Sequence, residues 1–155
     1  MVWLLANPDA HVYSFDLNRW PLTRVMADYI KQRFPDRFNI TYGDSVKTLP
    51  EFQRQNPDVK CDMMSVDGGH KAPISRADLE NFYNMSSHKN FVYYDNHPDH
   101  YKIGGPWESF KRGGKVTVLP LSSCKRFSWE KVWVYIWTIR PLSSDKLFTM
   151  TVRFV

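Results

Sequence analysis

Two short apolar runs end abruptly on carboxylates: Cys61 to His70 reads CDMMSVDGGH, and Phe91 to Asn96 reads FVYYDN. A run of that kind is the pattern of a strand buried in a parallel sheet, with its C-terminal end opening onto a site. Asp67 and Asp95 then stand at two strand tips, and in open α/β sheets ligands bind in the crevice beyond such tips. Gly68 and Gly69 allow a tight turn and close backbone approach. His70 adds an imidazole that titrates near neutral pH. Taken singly, each acid is also a common cap at a strand end or helix start; together with Asn96 and His70 they favour one site.

The elements that must position these groups follow in order. Val12 to Phe15 is a strand ending at Asp16, after a turn at Asn7-Pro8-Asp9. A helix follows, with Asn18 as its cap, Pro21 in its first turn, and Leu22, Val25, Met26, Tyr29 and Ile30 as a stripe at helical spacing. Asn39 to Tyr42 is a strand reaching Gly43-Asp44-Ser45, and a polar helix runs from there to about Gln55. After the strand to Asp67 comes a helix from about Pro73 to Tyr83, with Ile74, Ala77, Leu79, Phe82 and Tyr83 for its buried side. The strand Phe91 to Tyr94 and a helix around Trp107 to Lys111 complete the alternation, which predicts an α/β fold with a parallel sheet and right-handed crossovers. The last third changes character. Lys115 to Leu119, Trp129 to Ile139 and Leu147 to Val155 read as antiparallel strands closing one side of the sheet. Trp129, Trp133 and Trp137 share one strand face at their spacing of four, which favours sheet packing over a stacking platform.

Composition bounds the function. One domain accounts for 155 residues, and 43% hydrophobic with 15% aromatic residues describes a folded chain, not a disordered one. The net charge of +5 is spread along the chain without a basic run, so nucleic acid is not the expected partner. Cys61 and Cys124 make neither a disulfide framework nor a zinc spacing and read as two reduced thiols. Met1 to Ala6 is too short for a signal-peptide core and no segment reaches membrane-spanning length, which favours a cytoplasmic protein with no membrane partner.

The succession of strand tips at Asp16, at Gly43-Asp44-Ser45, at Asp67-Gly68-Gly69-His70 and at Asp95-Asn96 resembles the class I S-adenosylmethionine-dependent methyltransferases. Within them it is most similar to the metal-dependent small-molecule O-methyltransferases of macrocin and catechol type. The resemblance covers about residues 4 to 121 and leaves 122 to 155 as a divergent β-rich tail of the same domain. It implies a Rossmann-like sheet and gives each position a role. Asp16 would accept hydrogen bonds from the cofactor's ribose hydroxyls, and Asp44 and Ser45 would hold its adenine. Asp67 borders the cofactor and, with Asp95 and Asn96, would ligate magnesium or a similar divalent cation. His70 would be the general base, as in the macrocin type, with Lys71 as the neighbouring alternative. The implied partner is a small-molecule hydroxyl acceptor.

The same resemblance exposes a departure. The family opens with a strand and a Gly-rich loop that approaches the cofactor, whereas the first glycine here is Gly43. The chain reads as truncated at its N-terminus, opening near the end of the helix that follows that loop, at Val2 to Leu5. Losing a central strand leaves unpaired backbone on two neighbours. Those two strands could pair directly, or Val2 to Leu5 could fold back as an antiparallel stub. A second reading is therefore an inactive remnant that binds a protein partner, or a second copy, through an exposed sheet edge and the Trp-rich tail. A third is a metal-dependent hydrolase using Asp67, His70, Asp95 and His97. It has no motif that would generate a nucleophile, and His97, Asp99 and His100 read instead as a loop beside the acceptor.

Overall fold

The computed structural model describes residues 2–69, 71–94, 104–118, 136–138 and 148–153. The predicted alternation is present. Helix α1 (Val2–Ala6) leads into β1 (His11–Asp16), α2 (Pro21–Arg33), β2 (Phe38–Tyr42), α3 (Ser45–Gln55), β3 (Cys61–Asp67), α4 (Ala72–Met85), β4 (Ser86–Tyr94) and α5 (Gly104–Arg112). Strands β5 (Thr117–Val118), β6 (Ile136–Thr138) and β7 (Phe148–Arg153) follow. They form one seven-stranded sheet in the order β2-β1-β7-β3-β4-β6-β5. The fold is an α/β, Rossmann-like sheet in which β1, β2, β3, β4 and β7 run parallel while β6 lies antiparallel to β4 and β5 antiparallel to β6.

The centre of this sheet corrects the sequence reading. Strand β7 is not one of a group of antiparallel strands at one side; it lies parallel between β1 and β3, pairing Phe15 with Val152 and Asp67 with Arg153. The position between β1 and β3, expected to be empty, is therefore occupied by residues 148–153 of the chain. Strands β1 and β3 neither pair with each other nor leave their facing edges open. Val2 to Leu5 is helical and packs on β1, so it supplies no strand stub. The geometry permits this closure. Because β6 runs antiparallel to its neighbour β4, it ends at the edge where β7 begins. Three strand spacings, about 14 Å, separate the two, and the nine residues between them can span up to about 30 Å. FTMTVR suits a central strand: no proline or glycine interrupts it, and its only charge is the last residue.

The helices divide between the faces of the sheet. One core joins Phe15 and the inward residues of β3 and β4 to Leu49 of α3, to Leu79, Phe82 and Met85 of α4, and to Trp107 and Phe110 of α5. A smaller one joins Leu4, Val12, Ala27 and Phe38 under α1 and α2. The α2 stripe departs from expectation: Leu22, Val25, Met26 and Tyr29 are exposed, and the buried residue of that helix is Ala27, with Ile30 half-buried. The α4 prediction holds for Leu79 and Phe82, and the helix continues to Met85, directly into a β4 that begins five residues earlier than expected, at Ser86. Cys61 is a buried free thiol whose pKa burial pushes up to about 12; Cys124 lies outside the described residues, as do Trp129 and Trp133. No helix among the described residues is long and apolar enough to cross a membrane.

Candidate active site

Because β2, β1, β7, β3 and β4 are parallel, their C-terminal ends share one edge of the sheet. Asp16, at the β1 tip, is half-buried. Its Oδ1 accepts from the Asn18 N–H at 2.5 Å, a local turn that short acidic side chains favour. An ionised carboxylate keeps lone pairs beyond that one bond. Asn18 takes a left-handed φ of 57° and does not cap α2; Trp20 holds the cap position, and Asn18 Oδ1 instead accepts from Arg24 Nε at 3.0 Å.

The β2 tip is tied to the β1 tip. The Gly43 N–H donates to the Asp16 carbonyl at 2.9 Å, and Tyr42 stands level with Asp16. Gly43 has φ +136°, and a Cβ there would meet Thr48 Cγ2 at 3.0 Å, so this turn demands glycine. Asp44 is the N-cap of α3, accepting from the Val46 N–H at 3.1 Å. Ser45 opens the helix fully buried. Arg24 lies over the Tyr42 ring at 5.0 Å. Burial raises the pKa of the Tyr42 phenol, the nearby Arg24 charge opposes that shift, and Asp28 and Asp16 add to it. Asp16 and the Gly43–Asp44 turn thus form one hydrogen-bonded unit.

Across β7, Asp67 ends β3 half-buried and stands level with Arg153. Two strand spacings, roughly 10 Å, separate the β1 and β3 tips. A direct pairing of β1 with β3 would have halved that width. Beyond Asp67 the backbone approaches α4 closely: a Cβ on Gly69 would lie 2.9 Å from Ile74 Cγ2. The Lys71 N–H donates to the Gly69 carbonyl at 2.8 Å, and Lys71 is exposed at the N-cap position of α4. The β4 tip is fixed from below, where buried Tyr94 hydrogen-bonds Ser75 and stacks on Trp107, with ring centroids 5.2 Å apart and an interplanar angle of 12°. Tyr94 stands level with Val66, one row short of Asp67.

His70, Asp95 and Asn96 lie outside the described residues, as do His97, Asp99 and His100. The structure brings Asp16, Asp44 and Ser45 together and sets Asp67 across the crevice from them. Among the described residues no three His, Cys, Asp or Glu side chains converge on a metal position. Sequence reasoning missed the β7 tip, the Ser75–Tyr94 support and buried Asp78. Only the last had a legible sign, an acid directly between Ala77 and Leu79, two positions assigned to the buried side of the helix.

Comparison with known proteins agrees with this geometry. A family described as a methyltransferase domain matches residues 1–97. No curated protein matches the chain. Among solved structures, the apo structure of CalS11, a TDP-rhamnose 3'-O-methyltransferase of calicheamicin biosynthesis, matches with a TM-score of 0.60 at 17% identity, over 90% of this chain and 61% of that one. At that identity the likeness is one of fold, and the chain spans about three fifths of the solved chain's length. The family match covers well over half of the sequence, and the chain belongs to the methyltransferase-domain family.

Proposed function

We propose that the chain is an S-adenosylmethionine-dependent O-methyltransferase that acts, with the help of a divalent cation, on a hydroxyl group of a small molecule. The observation that carries the reading is the joined pair of strand tips, Asp16 bonded through its carbonyl to the Gly43 N–H, facing Asp67 across one intervening strand. That arrangement fits an adenosine. Asp16 offers acceptor lone pairs to two ribose hydroxyls, and the Gly43–Asp44 turn bonded to it stands beside them for the base. The family to which the chain belongs implies the same cofactor.

S-adenosylmethionine supplies a sulfonium methyl already activated for transfer, and a divalent cation would lower the pKa of the acceptor hydroxyl. What remains for the protein is positioning and one proton transfer. Asp67 would hold the cation with Asp95 and Asn96, a set of hard oxygen donors suited to magnesium. His70, next to the Gly68-Gly69 turn, would take the acceptor proton, and Lys71 is the neighbouring alternative. CalS11, as a TDP-rhamnose 3'-O-methyltransferase, methylates a hydroxyl of a sugar nucleotide, which supports a hydroxyl acceptor here without choosing one.

The test is paired. Asp16→Ala is expected to weaken S-adenosylhomocysteine binding by tenfold or more, the effect of losing charge-assisted hydrogen bonds to a ligand. His70→Ala is expected to leave that affinity intact and abolish turnover with a hydroxyl acceptor. Unchanged binding in Asp16→Ala would remove the adenosine assignment. The partner-binding alternative drew on an exposed sheet edge, the Trp-rich tail and the absent Gly-rich loop; of these, the facing edges of β1 and β3 are paired with β7.

A further inference from the structure

We propose that Asp78, as a carboxylate, is a positioning residue for cofactor binding: through the Ser45 hydroxyl it holds the first turn of α3 beneath the Gly43–Asp44 turn that would receive adenine. The inference rests on the methyltransferase reading of that turn. Asp78 and Ser45 are fully buried where α4 packs on α3. Ser45 Oγ, Thr48 Oγ1 and both Asp78 carboxylate oxygens are buried with no hydrogen-bond partner among the described residues. Ser45 lies close enough to ease the ionisation of Asp78, yet outside hydrogen-bonding geometry. A carboxylate accepts and does not donate, and the Ser45 hydroxyl can turn its proton toward it. Ser45 directly follows Asp44, the N-cap of α3, so a hold on its side chain acts on the turn itself.

Stability does not explain an acid at this position. Burial pushes the pKa of Asp78 up to about 6, with the neighbouring Asp44 charge adding to the shift and Ser45 opposing it. Near pH 7 the fold therefore carries an ionised group that weakens it, and such groups are characteristic of functional sites. Asp44 is the charged neighbour that acts on it. On α3, Lys47, Glu51 and Arg54 are exposed. Glu108 and Lys111 of α5 pair with each other at 2.8 Å, and Asp62 and Asp67 lie on β3, near its start and at its tip.

The experiment is calorimetric titration of S-adenosylhomocysteine into the whole chain between about pH 5 and pH 8, for wild type and Asp78→Asn, with denaturant unfolding of both. Wild-type affinity is expected to fall about tenfold on acidification, with a midpoint near pH 6. Asp78→Asn is expected to bind weakly at every pH while resisting denaturant at least as well as wild type at about pH 7.5. That opposition of sign separates positioning from a merely structural role. A variant with the wild-type pH profile, or one whose stability falls in step with its affinity, would overturn the proposal. If the wild-type chain binds no cofactor at any pH, the methyltransferase reading fails and amide exchange at residues 45–48 decides the hold itself. Faster exchange in Asp78→Asn supports it; equal rates overturn it.

Discussion

Among the described residues, thirteen buried side chains from Phe15 to Val116 form one core on the face covered by α3, α4 and α5, and four form another on the face covered by α1 and α2. The second face compensates with hydrogen bonds. Arg37 donates to the carbonyls of Leu4, Asn7 and Ala10 at 3.1 to 3.3 Å and lies over the Phe34 ring at 5.0 Å, tying α1 and its turn to the start of β2. Meanwhile Leu22 is 66% and Val25 62% exposed. The difference shows where the site takes its precision. Ser75, Tyr94, Trp107, Asp78 and the first turn of α3 belong to the densely packed face, so the supports of the candidate adenine and acceptor positions are set from that side. Among the described residues, the α1–α2 face lends the site the Asp16–Asn18 turn and Arg24.

Substitutions can break this comparison. The largest effect is expected at Trp107. Replacing it with alanine empties the space behind Tyr94 and is expected to cost about 3 to 5 kcal/mol in denaturant unfolding. A loss under 1 kcal/mol would mean that the α3–α5 core is not the principal one. Next comes Asp78, with the opposite sign. Its pKa is raised from 3.8 to about 6 in the folded chain, so the folded state holds the extra proton between those values. Stability is then full below about pH 4, falls as the pH rises to about 6, and stays reduced above it, by roughly 2 to 3 kcal/mol. Asp78→Asn is expected to stabilise the protein near pH 8 and to make little difference near pH 4; unfolding curves at the two pH values check this.

On the sparse face, Arg37→Met is expected to cost about 2 kcal/mol, because three carbonyls lose one charged donor. Faster amide exchange confined to α1 and the turn before β1 would show that hydrogen bonds hold that face. The smallest effect is expected from Val25→Lys, within about 0.5 kcal/mol, because the side chain is already in water. A larger loss would show that the α2 stripe is covered in solution.

The two faces also differ in how far they were legible. The strands β1 to β4 and the acids at Asp16 and Asp67 could be read because a buried parallel strand stopping at a charge is a local pattern. The Gly43 turn was local too, since glycine is the residue that tolerates its φ. The α2 stripe misled because helical spacing states that a helix has an apolar side and not that anything covers it. Residues 148–153 were read as a strand on propensity, but propensity does not name a partner; the slot between β1 and β3 is a property of the whole sheet, reached by a connection whose length alone the sequence displays. Asp78 was passed over for a related reason: a buried carboxylate is recognised by what surrounds it, and α3 and α4 meet only in the fold.

Strand β7 lies between β1 and β3 and sets the Asp16 and Asp67 tips two strand spacings apart, the gap that the proposed nucleoside cofactor would span. Calorimetric titration of S-adenosylhomocysteine into the 155-residue chain tests it most directly. Saturable binding at micromolar concentration, lost in Asp16→Ala, is the expected result. No binding by a chain that unfolds cooperatively would contradict it.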